Sequence, residues 1–316
     1  WQTNRRESQT IATAAPATGR FVTAHQTKIF VQEAGPASGR PVLLIHGTGS
    51  WSEIWRETMT ALAAAGFRAI ALDLPPFGYS EKPNGHAEYT TQNQAKRIVG
   101  VLDALDVKDT TVIGHSVGAR ATVEAALQAP ARITRLVLVD PALGFQADVH
   151  APPHFEQNDA PWLVRALFAS TGLRKAVLST YGTNPLFTRK LFASFVSEKT
   201  AVTDAKVRML QQPLTVENTT NAYGDWLAVL TVERDTSLCS DFTNFRNLRM
   251  PVSLIWGETD TVTPPWQADA LKKLVPGSEL RLIQHAGHIP YLENPPDFNV
   301  TLLNILSHDS APTPTR

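Results

Sequence analysis

The chain has little cysteine, no imbalance of charge and no long hydrophobic run. One cysteine, Cys239, stands among 316 residues, which excludes an internal disulfide and a cysteine-based metal cluster. The 29 basic and 29 acidic residues cancel, so the net charge favours neither nucleic acid nor an anionic membrane surface as a partner. No apolar stretch approaches the ~20 residues that a membrane-spanning helix needs, so we expect no stable membrane insertion.

Both ends of the chain are polar and show no hydrophobic period. Residues 1–20 are rich in Ala and Thr, and we expect a flexible N-terminal tail there and a second flexible tail at 309–316. The chain begins with Trp1 instead of Met, so we expect that a signal peptide, an anchor or another segment was removed upstream. The sequence leaves the compartment and the oligomeric state open.

Between the two ends, short apolar runs alternate with helical patterns. We predict two opening strands within Phe21–Glu33 and further strands at 41–45, 67–72, 110–113, 133–139, 252–256 and 279–283. Continuous apolar strands that alternate with helices are typical of parallel sheets covered on both sides. The sequence therefore predicts an α/β fold, with a mostly parallel central sheet flanked by helices on both faces.

The pattern changes between the sixth and the seventh predicted strand. There we find several short helical stretches, clearest at 162–170, 186–196 and 222–232, and no convincing strand. We predict an α/β core at 21–140 and 248–308 and a helical lid at 141–247, inserted after the sixth strand. Ligands of such folds bind beyond the carboxyl ends of the strands, so this lid would cover the site.

A serine lies at the junction of a predicted strand and a predicted helix. Gly114-His115-Ser116-Val117-Gly118 matches G-x-S-x-G, in which a sharp turn exposes a nucleophilic hydroxyl at a helix N-terminus. Glycine is needed on both sides because a β-carbon would crowd the turn. The alternative is an ordinary glycine-rich turn with a capping serine.

A nucleophilic serine needs a base and an orienting carboxylate. His288 follows the last strand at the same sheet edge and is the preferred base, with His285 as the nearest competitor. Asp260 follows the strand 252–256 and gives the order Ser, Asp, His along the chain. Asp140 and Glu258 are the rival carboxylates, and any of these side chains can instead be a plain turn or loop residue.

The loop after the strand 41–45 contains small residues that can aim backbone N–H groups at an oxyanion. We assign one donor to the N–H of Thr48, with Gly49 as the near alternative. The second donor is the N–H of Val117, directly after the serine.

Several motifs in this order resemble a known family. LLIHGTGSW, ALDLPPFGYSEKP, GHSVGA, LVLVDPA, WGETDTVTP and HAGHIPYLENP are similar to segments of lidded α/β-hydrolase-fold enzymes, which include esterases, C–C bond hydrolases and cofactor-free haloperoxidases. The resemblance covers about Phe21 to Leu306. It implies a catalytic triad of Ser116, Asp260 and His288, and no metal or organic cofactor.

The chain departs from the family pattern at several positions. Pro76 and Ala119 stand where relatives often have glycine. Ser116 argues against the epoxide and carbon–halogen chemistries of relatives that have Asp there. C–C hydrolases tend to have tryptophan soon after the histidine, where this chain has Tyr291 and Leu292. This last difference favours ester hydrolysis over C–C bond hydrolysis and leaves the latter open.

The expected substrate is a hydrophobic, small-to-medium carboxylic ester, because the lid is rich in aromatic side chains. Each of these side chains can instead serve only to pack the lid. The residues expected to contact substrate are Trp51, Trp162, Phe187, Trp226 and Tyr291, with Phe168, Phe195 and Leu227 as further candidates. Three alternatives remain open: a C–C hydrolase of a vinylogous diketone, a haloperoxidase-like or perhydrolase-like activity, and a ligand-binding receptor of the same fold.

Overall fold

Eight strands form one sheet in the computed structural model, which describes residues 5–145, 162, 166, 169–232 and 234–307. The strands are β1 (Gly19–Ala24), β2 (Thr27–Ala34), β3 (Pro41–Ile45), β4 (Arg68–Leu72), β5 (Thr110–His115), β6 (Ile133–Val139), β7 (Val252–Gly257) and β8 (Glu279–Ile283). Their order is β1-β2-β4-β3-β5-β6-β7-β8. The pairs β1–β2 and β2–β4 are antiparallel and the other pairs are parallel. This confirms the predicted fold class.

The helices of the described residues lie on both sides of this sheet and in an inserted segment. They are α1 (Ile11–Ala14), α2 (Arg56–Ala64), α3 (Thr91–Ala104), α4 (Val117–Gln128), α5 (Thr171–Val177), α6 (Pro185–Phe195), α7 (Asp204–Gln211), α8 (Thr219–Thr231), α9 (Trp266–Leu274), α10 (Pro290–Glu293) and α11 (Pro295–Ser307). Short 3₁₀ turns cover Ser52–Trp55, His86–Tyr89, Lys199–Ala201, Gln212–Thr215, Leu238–Ser240 and Phe242–Asn247, and Leu178–Gly182 forms a π-helical turn. No helix of the described residues has the length and hydrophobicity to span a bilayer.

Side chains of the central strands alternate between two apolar cores. On β3, Leu43 packs into the core that contains α3, α4 and α9, whereas Leu44 packs into the core that contains α2 and α11. Successive strand side chains point to opposite faces, so a strand buried on both faces must be apolar throughout. This requirement explains why the buried positions of β3 to β7 are mostly apolar.

The segment between β6 and β7 is helical where the structure describes it. Two of its predicted helical stretches correspond to α6 and α8, and the third, at 162–170, lies mostly outside the described residues. Helix α6 begins with Asn184 as its cap, whose side chain accepts a hydrogen bond from the N–H of Leu186, and Pro185 follows at the first helical position. The role of this segment as a lid stays a prediction.

The described N-terminal residues make contacts that the prediction of a flexible tail at 1–20 did not include. The N–H of Gln9 donates to the carbonyl of Thr215 at 3.1 Å, and its own carbonyl accepts from the N–H of Glu217 at 2.8 Å. Ile11 in α1 packs beside Trp51 and Tyr79 of the core. We call residues 5–18 the N-terminal segment. It is attached to the inserted segment through the backbone hydrogen bonds of Gln9 with Thr215 and Glu217, and to the core through the packing of Ile11.

Candidate active site

The serine of the G-x-S-x-G motif occupies a strained turn between β5 and α4. Ser116 has φ 52° and ψ −126°, which is an uncommon conformation for a residue other than glycine. A β-carbon on Gly114 would lie 2.5 Å from the hydroxyl oxygen of Thr122, and one on Gly118 would lie 2.2 Å from the carbonyl oxygen of His46. Both glycines are therefore required by close packing, as the motif predicts.

Three residues that are distant in sequence form one buried chain of hydrogen bonds at the carboxyl edge of the sheet. Ser116 Oγ lies 2.9 Å from His288 Nε2, and His288 Nδ1 lies 2.8 Å from Asp260 Oδ2. A carboxylate oxygen only accepts, so Nδ1 carries the ring proton and Nε2 is free to accept the proton of the serine. This is the arrangement in which a neutral imidazole acts as a general base toward a hydroxyl.

Asp260 is held as a carboxylate by hydrogen-bond donors. Burial acts to raise the pKa of Asp260, but hydrogen bonds from His288, the Thr263 hydroxyl and the Val262 N–H outweigh it, and the pKa is lowered. Thr263 donates from its hydroxyl at 2.6 Å and from its N–H at 3.1 Å. The carboxylate is thus fixed in charge and in position beside the imidazole.

His115 contacts the backbone of His288. Its Nε2 lies 2.8 Å from the carbonyl oxygen of His288 and donates to it, so its Nδ1 accepts from the Tyr291 hydroxyl at 3.0 Å. Burial lowers the pKa of His115 to about 3, which keeps the ring neutral. No signal in the local sequence indicates that the His115 side chain contacts the His288 backbone.

The loop after β3 lies directly against the serine. A β-carbon on Gly47 would meet the β-carbon of Ser116 at 2.9 Å. The shape of this loop is fixed by His46, whose Nδ1 donates to the carbonyl of Gly47 at 2.8 Å and whose Nε2 accepts from the N–H of Leu74 at 2.9 Å. Burial lowers the pKa of His46 to about 4, so the ring stays neutral and can make both bonds. Thr48 is the next residue along this loop.

Asp73 connects the segment after the loop that follows β3 with the loop that follows β4. The sequence analysis assigned no role to this residue. Its two carboxylate oxygens accept from the N–H groups of Ser52 at 2.7 Å and Tyr79 at 2.6 Å. Complete burial raises its pKa to about 6. The motif ALDLPPFGYSEKP contains this Asp, so the family resemblance was the signal that pointed to the position.

An apolar cavity of about 430 Å³ lies between these loops and the inserted helices. Its lining includes Gly47 and His115, which adjoin Ser116, and Ile289, which follows His288. No Asp, Glu, Lys or Arg of the described residues lines it. The lining side chains from the inserted helices are mostly apolar: Leu178, Leu191, Phe192, Phe195, Leu210, Leu214, Tyr223, Trp226 and Leu227.

The α/β hydrolase fold family model matches residues 40–295, which is most of the chain. The chain belongs to the α/β-hydrolase fold family. This confirms the resemblance that the motifs indicated. It is 28% identical to an uncharacterized protein of Mycobacterium tuberculosis over 305 residues, which cover 93% of this chain and 82% of that protein.

Two further relatives of this α/β-hydrolase-fold protein carry functional names. It is 26% identical over 279 residues to a 2-hydroxy-6-oxo-2,4-heptadienoate hydrolase of Pseudomonas putida, with 87% of this chain and 91% of that protein covered. The structure of a serine hydrolase involved in carbazole degradation superposes with a TM-score of 0.73 at 24% identity, over 92% of this chain and 98% of that one. The structural likeness shows the fold alone.

The structure places the predicted substrate contacts of this α/β-hydrolase-fold protein in different surroundings. Trp226 lines the cavity, as do the further candidates Phe195 and Leu227. Trp51 and Tyr291 are buried but are not among the described lining residues: the Trp51 indole donates to the carbonyl of Met209 at 2.9 Å, and the Tyr291 ring stacks on Trp55 at 3.9 Å. These two side chains therefore act in packing and not as part of the described cavity lining.

The remaining predicted contacts lie away from the cavity or outside the described residues. Phe187 packs edge-on against Tyr181 with ring centroids 4.9 Å apart. Trp162 is 74% exposed. Neither is among the described residues that line the cavity, and Phe168 lies outside the described residues.

The rivals for the base and the acid are placed differently from His288 and Asp260. His285 and Glu258 are exposed at the surface, and Glu258 accepts a hydrogen bond from the Gln284 side chain at 3.2 Å. Asp140 is fully buried and lies close to Asp260. The structure thus brings Asp140 to the site without making it the partner of the His288 ring.

Proposed function

We propose that the protein is a serine hydrolase that cleaves an apolar, small-to-medium carboxylic ester through an acyl-enzyme. The observation that carries this proposal is the buried hydrogen-bonded chain of Ser116, His288 and Asp260 beside an apolar cavity. In this proposal Ser116 is the nucleophile, His288 is the general base and then the general acid, and Asp260 orients the imidazole.

The reaction proceeds in two acyl-transfer steps. His288 Nε2 takes the proton of Ser116 as Oγ attacks the ester carbonyl, and the resulting oxyanion accepts hydrogen bonds from the N–H groups of Thr48 and Val117. His288 then gives its proton to the departing alkoxide, which leaves as the alcohol, and a water molecule repeats the sequence on the acyl-enzyme. Each oxyanion donor is expected to stabilise the transition state by about 3–4 kcal/mol.

The lining of the cavity supports an apolar substrate. Its volume of about 430 Å³ suits a small ligand, and the side chains that the inserted helices contribute are mostly aliphatic or aromatic. An ionised acyl chain would lose its hydration without gaining a partner charge from a described residue, which is unfavourable. Neutral acyl chains are therefore preferred.

C–C bond hydrolysis is the second candidate, and one observation favours it. The relative in Pseudomonas putida, matched over most of both chains, is named as a 2-hydroxy-6-oxo-2,4-heptadienoate hydrolase. The same serine, histidine and aspartate can serve that reaction. Comparison of kcat/KM for p-nitrophenyl esters and for a vinylogous diketone ring-fission product separates the two candidates, since the true class of substrate will show the larger value.

A fluorophosphonate probe followed by peptide mapping tests the nucleophile directly. We expect the label on Ser116, and we expect Ser116→Ala to lower ester turnover by about four to six orders of magnitude with an unchanged fold. Ser278→Ala is the matched control, because Ser278 is also buried but follows α9 at the opposite end of the sheet from the site. A label on another residue, or near-wild-type turnover of Ser116→Ala, would refute the proposal.

A further inference from the structure

Asp140 is a buried carboxyl that the proposed reaction does not use. It follows β6 directly, with φ 42°, and its backbone N–H donates to the carbonyl of Ile255 at 3.1 Å. Its Oδ1 accepts from the N–H of Gly257 at 2.8 Å. The side chain therefore connects the ends of β6 and β7, directly behind the loop that carries Asp260.

The two oxygens of Asp140 have different surroundings. Oδ2 is buried and receives no hydrogen bond from the described residues. A carboxylate oxygen of Asp140, a carboxylate oxygen of Asp260 and a ring nitrogen of His288 all lie within 4.8 Å of one another. A buried carboxylate oxygen without a donor is costly, whereas the hydroxyl of a carboxylic acid at this position would face an acceptor.

The groups around Asp140 decide which of the two carboxyls carries the proton. Burial, followed by the nearby charge of Asp260, raises the pKa of Asp140 well above its usual range, and Glu293 adds to this effect. Tyr291 also faces Asp140 and stays neutral, because burial raises its pKa. Two buried carboxylates this close do not both ionise, and Asp260 receives the hydrogen bonds that favour the charged form.

We propose that Asp140 is protonated while Asp260 is ionised, and that Asp140 is a positioning residue whose Oδ2–H donates to the Asp260 carboxylate. This bond fixes the Asp260 carboxylate beside His288, since oxygens of both carboxyls lie within 4.8 Å of a ring nitrogen of His288. The positioning role rests on the proposed function, but the protonation of Asp140 does not. A neutral Asp140 also leaves Asp260 as the one negative charge of the pair next to the imidazole.

Infrared difference spectroscopy tests the protonation without reference to activity. We expect wild-type protein at neutral pH to show the C=O stretch of a protonated carboxyl, and we expect Asp140→Asn to lack it. Glu258→Gln is the control, because Glu258 is exposed in the loop after β7 and its removal should leave this band in place. If Asp140→Asn removes only carboxylate signal, the proposal is overturned, whatever the reaction of the enzyme is.

The pH profile of kcat/KM tests the positioning role. Asn at position 140 keeps an acceptor for the Gly257 N–H and a donor for Asp260, and asparagine tolerates a positive φ. We therefore expect kcat/KM of Asp140→Asn within about 3-fold of wild type and an unmoved acidic limb, since neither the net charge nor the hydrogen bond changes. If Asp140 were instead the ionised triad acid, Asn would lower kcat by about 10⁴-fold, and that result would overturn the proposal.

Asp140→Ala removes both hydrogen bonds and completes the comparison. We expect its kcat to fall about 10-fold or more with KM little changed, and its acidic limb to move upward because Asp260 loses a donor and stabilises the imidazolium more strongly. A variant that loses thermal stability but keeps the wild-type kcat and pH profile would show a structural role only and would contradict the proposal. If Asp140→Ala does not fold, the infrared spectrum of Asp140→Asn still tests the protonation of Asp140, and its pH profile of kcat/KM still tests the positioning role.

Discussion

The α/β core and the inserted helices contribute different things to the same cavity. In the core, each residue of the proposed triad is buried and held by hydrogen bonds that fix its position and its protonation. The inserted helices instead contribute the apolar lining, and they also carry large exposed side chains that are not among the described lining residues: Leu173, Tyr181, Leu186 and Leu230. We infer that the chemistry depends on the core and that the choice of substrate depends on the helices.

The two regions also differ in how they are stabilised. The core has continuous strands packed between two helical layers, whereas the inserted segment is short helices whose ends rely on distant partners. Helix α8 shows this clearly: its cap residue Asn218 makes no capping hydrogen bond, and the N–H of Thr220 donates instead to the Glu7 carboxylate at 2.9 Å. We can therefore design mutations that each change one property: the rate of the reaction, the choice of substrate, or the attachment of the inserted helices to the core.

Among the variants that compare the core with the inserted helices, Gly47→Ala is expected to have the largest effect, because it alters the core loop and leaves the helices unchanged. The new β-carbon would lie 2.7 Å from His115 Nδ1 and 2.9 Å from the Ser116 β-carbon, so the loop must move away from the serine. Because the N–H of Thr48 moves with it, we expect kcat to fall by about 10²–10³-fold in an ester assay.

Gly172→Ala in α5 is the matched control for this change. A β-carbon there meets nothing within 4 Å, so we expect kcat and KM to stay at the wild-type values. Wild-type kcat in Gly47→Ala would contradict the assignment of the oxyanion donor to this loop. Equal losses in both variants would contradict the separation between core and helices.

The core site was predictable because its signals are local and ordered. The pentapeptide around Ser116 needs only its own strand and helix to define a strained turn, and His288 and Asp260 each follow a strand that ends at the same sheet edge. Parallel strands place their carboxyl ends together, so the meeting of these residues follows from the topology. The structure agrees with that placement, and the catalytic roles remain to be tested.

The supporting contacts were not predictable, because they join residues that are far apart in sequence. The N-terminal segment looks loose when read alone, yet Gln9 pairs with backbone groups more than 200 residues away. Likewise, aromatic residues predict burial but not its direction, which is why Trp51 and Tyr291 pack against Met209 and Trp55 although substrate contact was expected. Composition indicates which side chains will be buried, but only the fold determines which residues those side chains pack against.

A smaller effect, on substrate choice, is expected from Leu227→Ala in α8. Leu227 lines the cavity, so its removal should admit a longer acyl chain, and one methylene in an apolar pocket is worth a factor of about 10 or more in kcat/KM. We expect the ratio of kcat/KM for long over short p-nitrophenyl esters to rise about 10-fold.

Leu230→Ala is the control, since Leu230 is on the same helix but is 36% exposed and is not among the described lining residues. A shift of the same size in Leu230→Ala would show that the helix as a whole, and not the lining side chain, sets the preference.

The smallest effect on activity is expected from Glu7→Ala, which weakens the attachment of the helices. The Glu7 carboxylate accepts from the N–H and the hydroxyl of Thr220, so its removal leaves the Thr220 N–H without this acceptor and costs about 1–3 kcal/mol locally. We expect faster amide hydrogen exchange at the N-terminal turn of α8, unchanged exchange in β5 and β6, and kcat close to the wild-type value. Glu57→Ala, an exposed residue of α2, should change none of these. Local opening of the helices differs from global unfolding. Equal loss of protection in α8 and in the central strands would therefore mean that the inserted helices and the core unfold as one unit. The two regions would then differ in their contribution to the chemistry but not in their stability.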